Sequence, residues 1–172
     1  MTLHEIGIKY GTDKATAHEY LDFYESRIGE PKSIIEFGVL GGSSLEMWHE
    51  RFPDAVVIGL DIEKKTPPDG CLFFKMDCTK ENWITKINPS FDLIIDDAGH
   101  FTLDQVKAFE LWWPLVAKGG MFIMEDIHTM YYREYNPTDF DLIAWLDKLP
   151  YKKDFFHRDT SVADSQTVII YK

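Results

Sequence analysis

Long apolar runs are missing from this 172-residue chain. None of its segments approaches the roughly eighteen uninterrupted apolar residues of a membrane-spanning helix. The opening MTLHEIGIKYGTDK joins no apolar stretch to positive charge, so no secretory leader is expected. Cysteine is scarce as well: Cys71 and Cys78 stand alone, with six residues between them. That is neither a zinc spacing nor a disulfide framework, and a reducing, cytoplasmic setting is the expectation. Basic residues are also few, with 18 Lys and Arg against 29 Asp and Glu and a formal net charge of −11. With no Lys/Arg run to reverse that field locally, a nucleic-acid partner is disfavoured and a small neutral or cationic substrate fits better.

What remains is ordinary globular composition, 45% hydrophobic and 27% charged, at a length that suits one domain with its own core. Ala17 to Ile28 places Tyr20, Leu21, Tyr24 and Ile28 on one helical stripe, within an N-terminal helical lead-in over residues 1–30. Short apolar runs at 33–37, 55–60, 72–75, 91–95 and 121–124 predict strands, and 43–51 predicts a helix between the first two. Leu103, Val106, Phe109, Trp113 and Val116 recur at helical spacing, punctuated by Pro114 and Gly119-Gly120. A last helix is expected over 139–149, then strands near 154–158 and 166–171. This alternation predicts an α/β fold, a Rossmann-like and largely parallel sheet covered by helices on both faces. The final two strands lack a crossover helix between them and should run antiparallel. Such a sheet binds its ligand at the carboxyl ends of its strands.

The first strand ends in Glu36-Phe37-Gly38-Val39-Leu40-Gly41-Gly42-Ser43, a glycine turn that opens a helix. Gly38 lets the backbone approach a ligand, and the helix start at Ser43 offers free N–H groups. Asp61 follows Gly42 by 19 residues, at the end of the next strand, where a carboxylate accepts from ribose hydroxyls. Leu40 and Ser43 stand where a dinucleotide fingerprint needs glycine, which weakens NAD binding. Glu36 suits the cationic amino group of a methionine moiety instead, and the sulfonium of S-adenosylmethionine (SAM) suits an acidic pocket. Asp77, ending the third strand, is a candidate for the adenine amino group or, equally, a plain loop cap.

Two acidic pairs, Asp96-Asp97 and Glu125-Asp126, end the fourth and fifth strands. On neighbouring strands these four carboxylates gather, and like charges at that range call for a cation. Hard oxygen ligands suit Mg²⁺ or Mn²⁺, and such an ion lowers the pKa of a hydroxyl it binds. Within Asp96-Asp97-Ala98-Gly99-His100, the histidine is placed to remove the hydroxyl proton, with Asp97 beside it and Asp96 assigned to the cofactor. His128 reads as a second helper or a surface histidine, and Trp112, Trp113 and Trp145 as core. Tyr131, Tyr132 and Tyr135 are candidates for a substrate wall.

These segments, with Phe52-Pro53-Asp54-Ala55 and Tyr10-Gly11-Thr12-Asp13-Lys14, resemble the metal-dependent sugar and macrolide O-methyltransferases of class I, with cephalosporin hydroxylase-like proteins as relatives. The resemblance runs to about Tyr132. It implies that Asp97, Glu125 and Asp126 hold the metal, that His100 is the base, and that Glu36, Gly38, Ser43, Asp61 and Asp77 serve SAM. It departs at Ala98-Gly99, where the family has Gly-Ser. The activity implied is methyl transfer to a small-molecule hydroxyl, such as that of a sugar or glycosylated natural product. It also leaves room for a second subunit to complete the pocket. Competing expectations are a metal-dependent enzyme that does without SAM and a non-catalytic SAM-binding module.

Overall fold

The computed structural model describes residues 1–81, 83–87, 89–158 and 165–172. Three short helices lead in: α1 (Leu3–Tyr10), α2 (Asp13–Thr16) and α3 (Leu21–Glu25). Thr2 and Glu5 form a reciprocal capping box at the start of α1, and Gly11 ends it in the left-handed conformation with φ 70°. The helix expected over 17–28 is confined to α3, because Glu19 turns left-handed at φ 58° and breaks it from α2. Its apolar stripe survives, since Tyr20, Leu21, Tyr24 and Ile28 are all buried.

The strands and helices then alternate: β1 (Ser33–Phe37), α4 (Ser43–Arg51), β2 (Val56–Asp61), β3 (Leu72–Lys75), α5 (Trp83–Ile87), β4 (Phe91–Asp96), α6 (Thr102–Trp112), β5 (Val116–Met124), α7 (Leu142–Lys148), β6 (Lys153–Arg158) and β7 (Ser165–Tyr171). Their spatial order is β3-β2-β1-β4-β5-β7-β6. Every pairing among β1 to β5 is parallel, and β7 runs antiparallel to both β5 and β6. This is the doubly wound sheet with a C-terminal antiparallel pair that the strand and helix pattern predicts. Val116 belongs to β5 rather than to the preceding helix, and β5 continues through Gly119-Gly120. A Cβ at Gly120 would sit 2.7 Å from the Asp92 carbonyl, so only glycine lets the strand pass there.

Side chains alternate across the strands into two cores. Ile34, Leu93, Ile95 and Ile123 face α1 to α4, with Trp48, Tyr20 and Tyr24. Ile35, Ile94, Phe122 and Val168 face α5 to α7, with Trp112, Phe109 and Leu146. Leu103, expected on the buried stripe of α6, is 38% exposed at the helix start. The strand order reverses between β1 and β4, and the crevice opened by that reversal is the ligand position of wound sheets. Among the described residues no helix is long and apolar enough to cross a membrane.

Candidate active site

A cleft of about 770 Å³ opens at the carboxyl ends of β1, β2 and β4. Gly38, Val39 and Ser43 form one wall, Asp61 and Asp77 the far end, and Asp96, Asp97 and His100 the floor. Gly38 has φ 82°, and a Cβ on it would lie 2.1 Å from the Asp97 carbonyl oxygen. The glycine turn therefore lies directly against the first acidic pair, a packing that any other residue would prevent. Asp61 holds this turn with one oxygen, accepting from the Val39 N–H at 3.1 Å, and accepts from the Glu63 N–H with the other at 2.8 Å.

Asp77 also faces the cleft, but its carboxylate is engaged locally. It accepts from the Thr79 N–H and hydroxyl at 3.0 and 2.6 Å and pairs with Lys80 at 2.7 Å. The bonds from Lys80 and Thr79 hold its pKa down at about 2, which is the behaviour of a loop cap. Asp96 behaves in the opposite way. It is 3% exposed, and its Oδ2 has no hydrogen-bond partner among the described residues. Burial pushes its pKa up to about 7. A buried carboxyl oxygen without a partner, on the floor of a cleft, is a docking point for a ligand's polar group.

Beyond Asp96 lies the acid centre. The ammonium of Lys14, wholly buried, sits 2.5 Å from Asp97 Oδ2, 2.7 Å from Glu125 Oε2 and 3.1 Å from Glu36 Oε1. Burial alone would lower the pKa of Lys14, but the three carboxylates outweigh it and raise it well above the usual value. Burial likewise raises Glu36, Asp97 and Glu125, with Lys14 opposing each shift. Three further carboxylate oxygens meet neutral donors. Trp48 Nε1 donates to Glu36 Oε2 at 3.0 Å, and the Tyr24 hydroxyl to Glu125 Oε1 at 3.0 Å. The Tyr20 hydroxyl donates to Asp126 Oδ1 at 2.6 Å, and Gln105 donates to the Glu125 carbonyl at 2.7 Å.

His100 faces the two remaining carboxylate oxygens. Its Nε2 lies 3.4 Å from Asp126 Oδ2 and 3.9 Å from Asp97 Oδ1. One ligand atom from each of Asp97, His100 and Asp126 falls within 4.8 Å of the others, a spacing suited to a shared cation. Leu40, His100 and Asp126 all carry positive φ, at 45°, 57° and 52°. Backbone strain in non-glycine residues gathers where function fixes the geometry. Thr129 locks the strained pair together, donating from its hydroxyl to the carbonyls of His100 and Asp126 at 2.9 and 2.8 Å.

The structure thus brings Gly38, Ser43, Asp61, Asp77, Asp96, Asp97 and His100 to one cleft. Asp126 joins them through His100. Glu36 and Glu125 stand behind the floor, wholly or almost wholly buried and paired with Lys14. Lys14, Tyr20 and Tyr24 had no reading as site residues. The two tyrosines are legible as an apolar stripe, and Lys14 and Tyr20 as part of the lead-in that resembles the family, but a lysine in a four-residue helix carries no local signal of burial.

No protein-family model matches the chain. The 8-demethyl-8-alpha-L-rhamnosyl tetracenomycin-C 2'-O-methyltransferase of Streptomyces olivaceus is 28% identical, over 74% of this chain and 38% of its own. The mycinamicin VI 2''-O-methyltransferase of Micromonospora griseorubida is also 28% identical, over 76% of this chain and 37% of its own. The likeness is to sugar O-methyltransferases. A methyltransferase from the mycinamycin biosynthetic pathway, solved with Mg and SAH, superposes with a TM-score of 0.81 at 20% identity, covering 99% of this chain and 54% of that one. At that identity the superposition establishes the class I methyltransferase fold. This chain spans little more than a third of the length of the two curated relatives.

Proposed function

We propose that this chain is a SAM- and divalent-metal-dependent O-methyltransferase acting on a hydroxyl of a small molecule, a sugar or a glycosylated natural product. One observation carries the reading. The glycine turn of a nucleoside cleft packs directly on Asp97, which with Asp126 and His100 forms a cation-spaced cluster on the cleft floor. The rhamnosyl and mycinamicin enzymes that the chain resembles are named for transfer to sugar hydroxyls, which supports the acceptor class.

SAM fits the cleft through Gly38 and Ser43, the carboxylate of Asp61 and the unpartnered oxygen of Asp96. Glu36 and Asp77, proposed for the methionine amino group and the adenine, are engaged by Lys14 and Trp48 and by Thr79 and Lys80. They serve SAM directly only where spare lone pairs remain. Asp97 and Asp126 fit Mg²⁺ or Mn²⁺ through the oxygens that face His100. Glu125 fits through the lone pairs that Lys14 and Tyr24 leave open. When bound, SAM supplies an electrophilic methyl group, and the divalent ion stabilises negative charge on a hydroxyl oxygen.

His100 is the general base: its imidazole, fixed by a strained backbone and the Thr129 bond, accepts the hydroxyl proton at Nε2. The Asp97 and Asp126 carboxylates flank that nitrogen and keep it beside the ion site. The rest of the rate enhancement comes from holding donor and acceptor in line.

The test is transfer of labelled methyl from SAM to a panel of glycosides, with Mg²⁺ and with EDTA. The reading expects transfer that EDTA abolishes, with SAH binding unaffected by the chelator. Undiminished transfer in EDTA, or no SAH binding at all, would contradict it.

A further inference from the structure

The acid centre already holds one cation of its own. Lys14 has no exposed surface, and its ammonium carries three N–H donors. Three carboxylates stand around it, Asp97, Glu125 and Glu36, each within 3.1 Å. The other oxygens on this buried side are taken by Trp48, Tyr24 and Tyr20. Among the described residues Glu36 Oε1 is ion-paired with Lys14 but accepts no hydrogen bond, and the two oxygens that none of these donors reaches, Asp97 Oδ1 and Asp126 Oδ2, both face His100. The donors therefore divide the cluster into an inner side that Lys14 holds and an open outer side.

Resting on the reading of Asp97 and Asp126 as ion ligands, we propose that Lys14 is a positioning residue, the resident counter-cation of the acid centre. It keeps Glu36, Asp97 and Glu125 together when no divalent ion is bound, and it turns Asp97 Oδ1 outward to His100. Buried carboxylates stripped of a cation partner are strongly destabilising. With Lys14 in place the outer side stays assembled while the ion comes and goes, so ion binding is uncoupled from folding. Without Lys14 the divalent ion becomes the remaining counter-charge, and folding depends on it, as in metal-coupled domains.

The test compares melting of the wild type and Lys14→Met in EDTA and in excess Mn²⁺, with Mn²⁺ binding followed by electron paramagnetic resonance. In EDTA the variant should melt about 6–20 °C below the wild type. Mn²⁺ should raise its melting temperature by clearly more than it raises that of the wild type. Leu146→Ala, a cavity in the core on the opposite face of the sheet, supplies the control. A merely structural loss predicts the same Mn²⁺ increment in both variants. Lys14→Met/Glu36→Gln covers the case in which the single variant does not fold, because it removes a carboxylate whose described cation partner is Lys14. It should regain a large share of the stability lost in EDTA.

Lys14→Met as stable as the wild type in EDTA, or an Mn²⁺ increment equal to that of Leu146→Ala, overturns the proposal. So does a double variant less stable than the single one. A wild type that binds no Mn²⁺ overturns the ion-site reading and this proposal with it, whereas the other three results leave that reading standing.

Discussion

Gly38→Ala is the perturbation that the geometry prices most completely. Gly38 has φ 82°, and its added Cβ would meet the Asp97 carbonyl oxygen at 2.1 Å, the Asp97 carbonyl carbon at 2.7 Å and Ala98 Cα at 2.9 Å. All three are backbone atoms, so no flexible side chain can swing aside. The left-handed conformation costs a non-glycine residue about 1–2 kcal/mol. Forcing β1 and β4 apart at the loop adds about 1–3 kcal/mol, as in overpacked cores. The sum, about 2–5 kcal/mol, corresponds to a fall in melting temperature of roughly 4–20 °C for a chain of this size. The same displacement moves the glycine turn off the cleft wall and Asp97 off the cation cluster, so SAH and Mn²⁺ affinity should fall together. Gly41→Ala is the matched control, since its Cβ would meet nothing within 4 Å. Thermal melting and calorimetry with SAH on both variants check the argument. A Gly38→Ala protein with wild-type melting and wild-type SAH affinity would refute it.

His100→Ala should lower methyl transfer by about 10²–10⁴-fold while SAH affinity, measured by calorimetry, stays within about twofold. Trp48→Phe removes the indole N–H from Glu36 Oε2 and should cost about 1–3 kcal/mol in urea unfolding, with no change in the secondary-structure spectrum. Burial pushes the Cys71 thiol up to about 11 and the Cys78 thiol higher still. Both should therefore resist a thiol-exchange reagent at pH 8 in the folded protein and react at once in denaturant, and fast labelling of the native chain would contradict their placement. Asp77 titrates at about 2 when folded, against an ordinary 3.8. Its contribution to stability is thus complete above the ordinary value and lost as pH falls through the folded one, and Lys80→Ala should move its NMR titration upward.

The sheet was legible because apolar runs and glycine punctuation are local, and strand ends carry their acids with them. β1, α4, β3 and the antiparallel β6–β7 pair stand within a residue of expectation. The passage of β5 through Gly119-Gly120 was not legible, because it depends on backbone neighbours far away in sequence, at Asp92 and Lys172, and the left-handed turn at Glu19 has no glycine to announce it. The acidic pairs announced themselves by residue type and position. Their partition did not: it is set by Lys14, which lies 83 residues from Asp97 and 111 from Glu125. Charge complementarity across such distances leaves no periodicity for a sequence to display. For the same reason the sequence marks Glu36 as a carboxylate for a methionine amino group but does not show that Trp48 and Lys14 lie against it.

On the proposed reading a SAM cleft and a divalent-ion site lie side by side across the Gly38–Asp97 contact. Paramagnetic relaxation of bound SAH by Mn²⁺ measures that adjacency directly. SAH proton signals should broaden sharply when Mn²⁺ is added to the wild type, and Asp97→Asn with Asp126→Asn should abolish the broadening while SAH stays bound. SAH that binds and keeps sharp signals in saturating Mn²⁺ would contradict that reading.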